Sequence, residues 1–353
     1  MSDDQQPGRF RRALNAVGRA AALPVRGAGY LWRSGQAHQH FFLPVLNGAL
    51  GDQLAARYDR RAIQLSFREN GQDVPVPELH LRGPARQTVV FVHGLMGDEH
   101  IWQAGFQDAP GARRYGPRLA AETAARVLYV RYNSGLHLSE NGRALDRLLT
   151  ELVQAYPDAI GELVLVGHSM GGLIIRSAGH YADQAPQSPW LTHLRTVFLL
   201  GTPNDGSWLE QNSHFTARLL ERINLFPTRF LSRALNQRSN GIKDLRHSIL
   251  VDEDWQDAHA DDLLPPRTVV PPLPGVSYHL LLGSWLRTAL PTAVREYFGD
   301  GLVGKSSARG AGVFGDETAL PPGTSVRSAV FAQQHHGGLL NHPEVYQYLK
   351  AHL

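Results

Sequence analysis

From about residue 60 to the C-terminal end, short apolar runs rich in β-branched residues alternate with stretches whose apolar positions recur at helical spacing. Seven runs read as strands: 62–67, 78–81, 88–92, 127–131, 163–166, 196–200 and 278–282. Val89-Val90-Phe91-Val92 and Leu163-Val164-Leu165-Val166 are apolar without interruption, the pattern of strands covered on both faces of a parallel sheet. Helical periodicity occupies 116–125, 140–156, 170–181 and 343–352. This order predicts an α/β fold with a mostly parallel central sheet flanked by helices.

One span breaks the alternation. Between the strands ending near 200 and starting near 278 the apolar residues fall at helical spacing, as at Phe215, Leu219 and Ile223, then Leu231 and Leu235 beyond Pro227. A proline-rich stretch, 264–275, closes it. The span is too long for an ordinary loop and is expected to form a helical cap, at about 204–275, over the C-terminal edge of the sheet. It carries more apolar residues than one docked helix needs. Phe230 and Leu231 are therefore expected to bind substrate, against the alternative that they are ordinary core.

Composition narrows the chemistry. Of 353 residues 42% are hydrophobic and 19% charged, which supports a sizeable core and excludes wholesale disorder. The absence of cysteine excludes a disulfide scaffold, an iron–sulfur cluster and a thiol nucleophile. The net charge is only +3, but residues 1–61 hold nine Arg against four Asp. There Arg alternates with apolar residues, as in Phe10-Arg11-Arg12-Ala13-Leu14. The segment reads either as an amphipathic helix on an anionic membrane surface or as a helix packed on the domain with its Arg face in water. The second is the commoner fate. Residues 1–60 are thus set apart as a basic helical N-terminal extension, and 61–353 as the α/β domain.

Ala20-Ala21-Ala22-Leu23 stops at Pro24, too short for a signal-peptide core, and no run approaches a membrane span. A cytoplasmic chain is expected, with peripheral membrane contact through the N-terminal segment as the alternative. The basic segment has no aromatic-interleaved platform, so no nucleic acid is expected as a partner. His38-Gln39-His40 reads as surface histidines, and no metal site is called.

Gly167-His168-Ser169-Met170-Gly171 lies where a buried strand gives way to a helix. A serine on so sharp a turn, between small residues, stands clear of the sheet as a nucleophile, and the helix start adds partial positive charge where an oxyanion would form. Val92-His93-Gly94-Leu95-Met96-Gly97 follows another buried strand. The main-chain N–H groups of Leu95 and Met170 are the candidate oxyanion donors. No Gly-Lys-Ser/Thr follows, which excludes a phosphate-cradling loop. In chain order a base and its orienting acid should come after the serine. Asp300, between Gly299 and Gly301, leads as the acid; Asp316 and Asp252-Glu253-Asp254 are rivals that read as solvated loop charges. His336 leads as the base, with His335 second and His342 at the start of the last helix. Tyr132-Asn133-Ser134-Gly135 is expected to shape a turn near the mouth of the site rather than touch substrate.

These motifs carry a resemblance. From about residue 86 onward the chain resembles the α/β-hydrolase superfamily, and within it bacterial lipases and the esterases related to the GPI inositol-deacylase. Asp300-Gly301-Leu302-Val303 is similar to the segment holding the triad acid in those lipases. The run His336 to Val345 is similar to the pattern His-x-x-Leu-Leu-x-x-Pro-x-Val that carries the base. The resemblance implies an α/β-hydrolase fold, a Ser169–His336–Asp300 triad and a serine esterase or lipase acting on a small-molecule or lipid ester without a cofactor. The disulfide that many such lipases carry is impossible here, and no calcium motif is apparent. An acyltransferase using the same triad and a non-catalytic binding protein on the same fold are the alternatives.

Overall fold

The uninterrupted apolar runs become neighbouring strands of one sheet. A computed structural model describes residues 28–103, 114–185, 188–205, 239–257, 267–284, 310–314, 320–334 and 336–353. Within them α1 (Ala28–Ala56) precedes a hairpin of β1 (Ser66–Glu69) and β2 (Gln72–Val74). There follow β3 (Ala85–Val92), the short α2 (His100–Gln103), α3 (Tyr115–Glu122), β4 (Arg126–Arg131), α4 (Leu138–Ala155) and β5 (Ile160–His168). Next come α5 (Met170–Gln184), β6 (Leu194–Leu200), α6 (Asn240–His247), α7 (Asp252–Gln256) and β7 (Ser277–Ser284). The chain closes with α8 (Ala311–Phe314), β8 (Ser325–Ala332) and α9 (Pro343–Ala351).

The strand order is β2-β1-β4-β3-β5-β6-β7-β8, parallel from β4 through β8, with β1 antiparallel to both neighbours. Successive side chains of a strand point to opposite faces. Val90, Val92, Leu163 and Leu165 therefore pack under α4 and α5, while Val89, Phe91, Val164 and Val166 pack with Tyr115 and Leu119 of α3 and Val345, Tyr346 and Leu349 of α9. The chain has the α/β-hydrolase architecture: a mostly parallel sheet between helical layers.

The structure corrects three local expectations. Residues 78–81 form no strand. Pro75 and Pro77 flank Val76, and proline cannot donate to a ladder, so the chain takes a 3-10 turn at Val76–Glu78 instead. In 62–67 the strand starts only at Ser66; Ile63 gives its N–H to the Asn47 side chain rather than to a neighbouring strand. Nor are Asp252, Glu253 and Asp254 loop charges. They open α7, where Asp254 is buried and accepts the Thr268 N–H and hydroxyl, and Asp252 pairs with Arg143. Two strands, β2 and β8, were not expected.

Helix α1 is tied to the domain along its C-terminal half. Leu46, Leu50 and Leu54 are buried with Ala62 and Met96, each burial contributing roughly 1.5–3 kcal/mol. Asn47, fully buried, donates to the Leu43 and Arg61 carbonyls and accepts the Ile63 N–H, so its burial leaves no polar atom stranded. No described helix is long and apolar enough to cross a membrane. Of the expected cap, residues 206–238 and 258–266 lie outside the described residues, including Phe230 and Leu231.

Candidate active site

Strand register decides which loops meet. Val92 pairs with Gly167 on one side and with Val130 on the other, so the turns after β3, β4 and β5 emerge side by side at the C-terminal edge of the sheet. Ser169 occupies the junction of β5 and α5. Its backbone sits at φ 54, ψ −124, a region that L-residues rarely adopt and that persists only when the surroundings enforce it. The Ser169 N–H is held by the Leu200 carbonyl at 2.9 Å, and its own carbonyl accepts Gly172 N–H at 3.1 Å. Gly171 must be glycine, because a methyl there would collide with the Val92 and His93 carbonyls. Ser169 is half-buried, at the head of the fifteen-residue α5. The first N–H groups of a helix lack partners within it, and Met170 is the first residue of α5.

The turn after β3 lies directly against the serine. A methyl on Gly94 would stand 3.0 Å from His168 Nδ1 and 3.1 Å from Ser169 Cβ. The Gly97 N–H donates to the Gly94 carbonyl at 3.1 Å, closing a tight turn with Leu95 and Met96 at its corner and Met96 at φ 57. Its base is set by His93, fully buried and stacked on Tyr132 with ring centroids 4.1 Å apart. His93 Nδ1–H donates to the Gly94 carbonyl at 2.8 Å, and Nε2 accepts the Tyr132 N–H at 3.2 Å. Burial lowers the pKa of His93 to about 4, so the ring is neutral at pH 7.

His336 opens a 3-10 turn, His336–Leu340, between β8 and α9 and is 6% exposed. Its ring lies 4.6 Å from that of His168, the residue before Ser169, and His168 Nε2–H donates to the His336 carbonyl at 3.3 Å. Burial holds the His168 pKa well below its ordinary value, and the neighbouring His336 adds to the effect. The far side of the 336–342 turn is pinned by Tyr115, whose hydroxyl donates to the Leu339 carbonyl at 2.6 Å and accepts the His342 N–H at 2.9 Å. His342 caps α9 and belongs to this support.

The structure therefore brings the turn after Gly94 against Ser169, and the His336 turn against His168. Asp300, its rival Asp316, and His335 lie outside the described residues. The rivals Asp252 and Asp254 are engaged with Arg143 and Thr268, as described. Sequence reading passed over His168 and Tyr115. His168 was signalled only by its place inside the serine pentapeptide; Tyr115 bears no local signal.

Among the described residues one further group has metal-ligand chemistry: the donor atoms of Asp98, Glu99 and His100 lie within 4.8 Å of one another. Arg68, itself buried, already sits on Glu99 at 2.9 Å, and Asp98 faces His100 at 3.2 Å. Glu99 is thus paired with Arg68 and Asp98 with the His100 ring, a polar network beside the β3 turn. The serine turn thus presents a half-buried hydroxyl beside the Gly94 turn, and its neighbour His168 packs on the His336 turn.

A model of the alpha/beta hydrolase family matches residues 89–346. The chain is similar to Protein SERAC1 of Homo sapiens, 23% identical over 229 residues, covering 58% of this chain and 34% of that protein. It thus spans about a third of that relative's length. Among solved structures, the mature lipase BlEst2 of Bacillus licheniformis is 18% identical, with 81% of this chain and 96% of that chain covered and a TM-score of 0.46. The RedJ thioesterase of the prodiginine pathway of Streptomyces coelicolor is 16% identical, with 85% and 100% covered and a TM-score of 0.43.

Proposed function

The chain belongs to the alpha/beta hydrolase family, and from that premise we propose that it is a serine hydrolase of carboxylic esters. Ser169 Oγ attacks the ester carbonyl while His336 takes its proton. The N–H groups of Leu95 and Met170 hold the developing oxyanion. His336 then returns the proton to the leaving alcohol, and water resolves the acyl-enzyme by the same route in reverse roles. Asp300 orients the imidazole; it enters on the Asp-Gly-Leu-Val pattern of the sequence. The acyl group is apolar, received by the cap through Phe230 and Leu231.

One observation carries this reading. A non-glycine residue is held at φ 54, ψ −124 at the end of a buried strand, with the β3 turn packed against its Cβ. A serine that merely capped the helix would need no such backbone, and Ser169 makes no side-chain cap bond. The test is fluorophosphonate labelling with a chain-length series of p-nitrophenyl esters. Wild type should take one label and turn over esters; Ser169→Ala should take none and lose all but a residue of turnover, with an unchanged circular dichroism spectrum. Labelling of the variant at the wild-type rate would move the nucleophile elsewhere. Preferential transfer of the acyl group to an added alcohol would make the enzyme an acyltransferase.

A further inference from the structure

The turn that carries Leu95 contains a methionine in a conformation that methionine resists. Met96 at φ 57 lies in the left-handed region, where an L side chain crowds the backbone carbonyl. Two contacts hold it there. Its N–H donates to Ser134 Oγ at 3.0 Å, and its side chain, 3% exposed, is enclosed by Leu46, Ala49 and Leu50 of α1. Ser134 is itself 1% exposed and belongs to the Tyr132–Gly135 segment after β4.

Helix α1 backs the same hydroxyl. A methyl on Gly48 would overlap Met96 Cγ and stand 3.2 Å from Ser134 Oγ. The Gly48 carbonyl is fixed from outside by Ser239 Oγ at 2.7 Å, and Asn133 Nδ2 donates to the Gly51 carbonyl at 3.0 Å. The Ser134 hydroxyl is thus wedged between α1 and the β3 turn, one residue from Leu95 N–H.

We propose that Ser134 is a positioning residue: its hydroxyl, backed by α1 at Gly48, holds the Leu95–Met96 turn so that the Leu95 N–H meets the oxyanion formed at Ser169. This rests on the ester-hydrolase reading and goes beyond it. Helix α1 precedes the family match at residue 89, yet it would help shape the oxyanion site. The hydroxyl matters because an apolar replacement leaves the Met96 N–H buried without an acceptor, which favours a different turn.

The experiment uses the full chain with Ser134→Ala and Ser134→Thr. Functional sites are counted by endpoint fluorophosphonate stoichiometry, and turnover of a short-chain ester is expressed per labelled site. Losing one oxyanion donor costs about 10²–10³ in kcat, so misplacing one should cost about 10- to 100-fold. The expected result for Ser134→Ala is a full complement of labelled sites, that fall in kcat, and KM within about twofold of wild type. Ser134→Thr, which keeps the hydroxyl, should recover most of the loss. A purely structural role would instead reduce the number of labelled sites and leave each with wild-type turnover, which overturns the proposal. Equal impairment of the Ala and Thr variants overturns it too. If Ser134→Ala fails to fold, Gly48→Ala reaches the same turn from the helix. Wild-type turnover per site in a folded Gly48→Ala refutes the proposal, and reduced kcat at constant KM supports it. A wild-type chain that takes no label would overturn the ester-hydrolase reading itself, a distinct outcome.

Discussion

Acidification should destabilise this protein in part by forcing a proton onto His93. Both ring nitrogens are committed in the neutral form, Nδ1–H to the Gly94 carbonyl and Nε2 to the Tyr132 N–H. Burial is the largest influence and brings the pKa to about 4 from an ordinary 6.5. The bond to Gly94 and the charges of Asp98 and Glu99 act upward, and Arg131 acts downward. A histidine with a depressed folded pKa binds fewer protons folded than unfolded, so its contribution is complete above the unfolded value. It declines as pH falls through 6.5 and is gone below about 4. The fall from 6.5 to about 4 corresponds to about 3 kcal/mol in total, of which about 2 kcal/mol is lost by pH 5. The assay is urea denaturation of wild type and His93→Asn at about pH 7, 6 and 5. Asparagine keeps a donor for Gly94 but cannot take up a proton. The variant should be less stable at pH 7, having lost the Tyr132 bond and the ring stack, yet its stability should fall less steeply with acid. His279, also shifted down by burial, titrates in both proteins and cancels in the comparison, whereas His168 is held down partly by His93 and adds to the difference between the two slopes. Identical slopes would refute the argument.

Gly171→Ala should cost about 1–3 kcal/mol and a larger share of turnover, because the added methyl meets two backbone carbonyls that can yield only if α5 backs away from β3. A melting temperature and a turnover per labelled site both at wild-type values would contradict the packing described. His336→Ala and Asp300→Asn should each lower turnover by several orders of magnitude, and adding either to Ser169→Ala should cost little more, since triad members act as one unit. Wild-type turnover in Asp300→Asn would move the acid to another carboxylate, Asp316 first. Phe230→Asp and Leu231→Asp should change the ratio of long- to short-chain ester rates while Ser169 still labels; equal rates in a folded variant would remove these residues from the acyl site.

The sequence alone settled those features that depend on neighbours along the chain. Continuous apolar runs marked β3 and β5 because a strand covered on both faces needs no polar alternation. The glycines around Ser169 marked a tight strand-to-helix turn, since only small residues allow it. Local pattern misled where polar and apolar residues mix. Half-exposed β8, with Arg327 and Ser328 in its middle, has no such run and becomes a strand only because β7 offers it a parallel edge. Residues 78–81 looked extended until the prolines before them denied a ladder. Tertiary structure decided everything that joins distant parts of the chain. The pairing of Val92 with Gly167 brings the Leu95 turn to Ser169, and the His168–His336 contact joins residues 168 positions apart in the chain. Gly48 and Gly51 carried no visible role within α1, where glycine is simply a poor helix former. Their purpose appears only where α1 meets Met96 and Asn133, because close packing is a property of two surfaces and one stretch of sequence encodes only one of them.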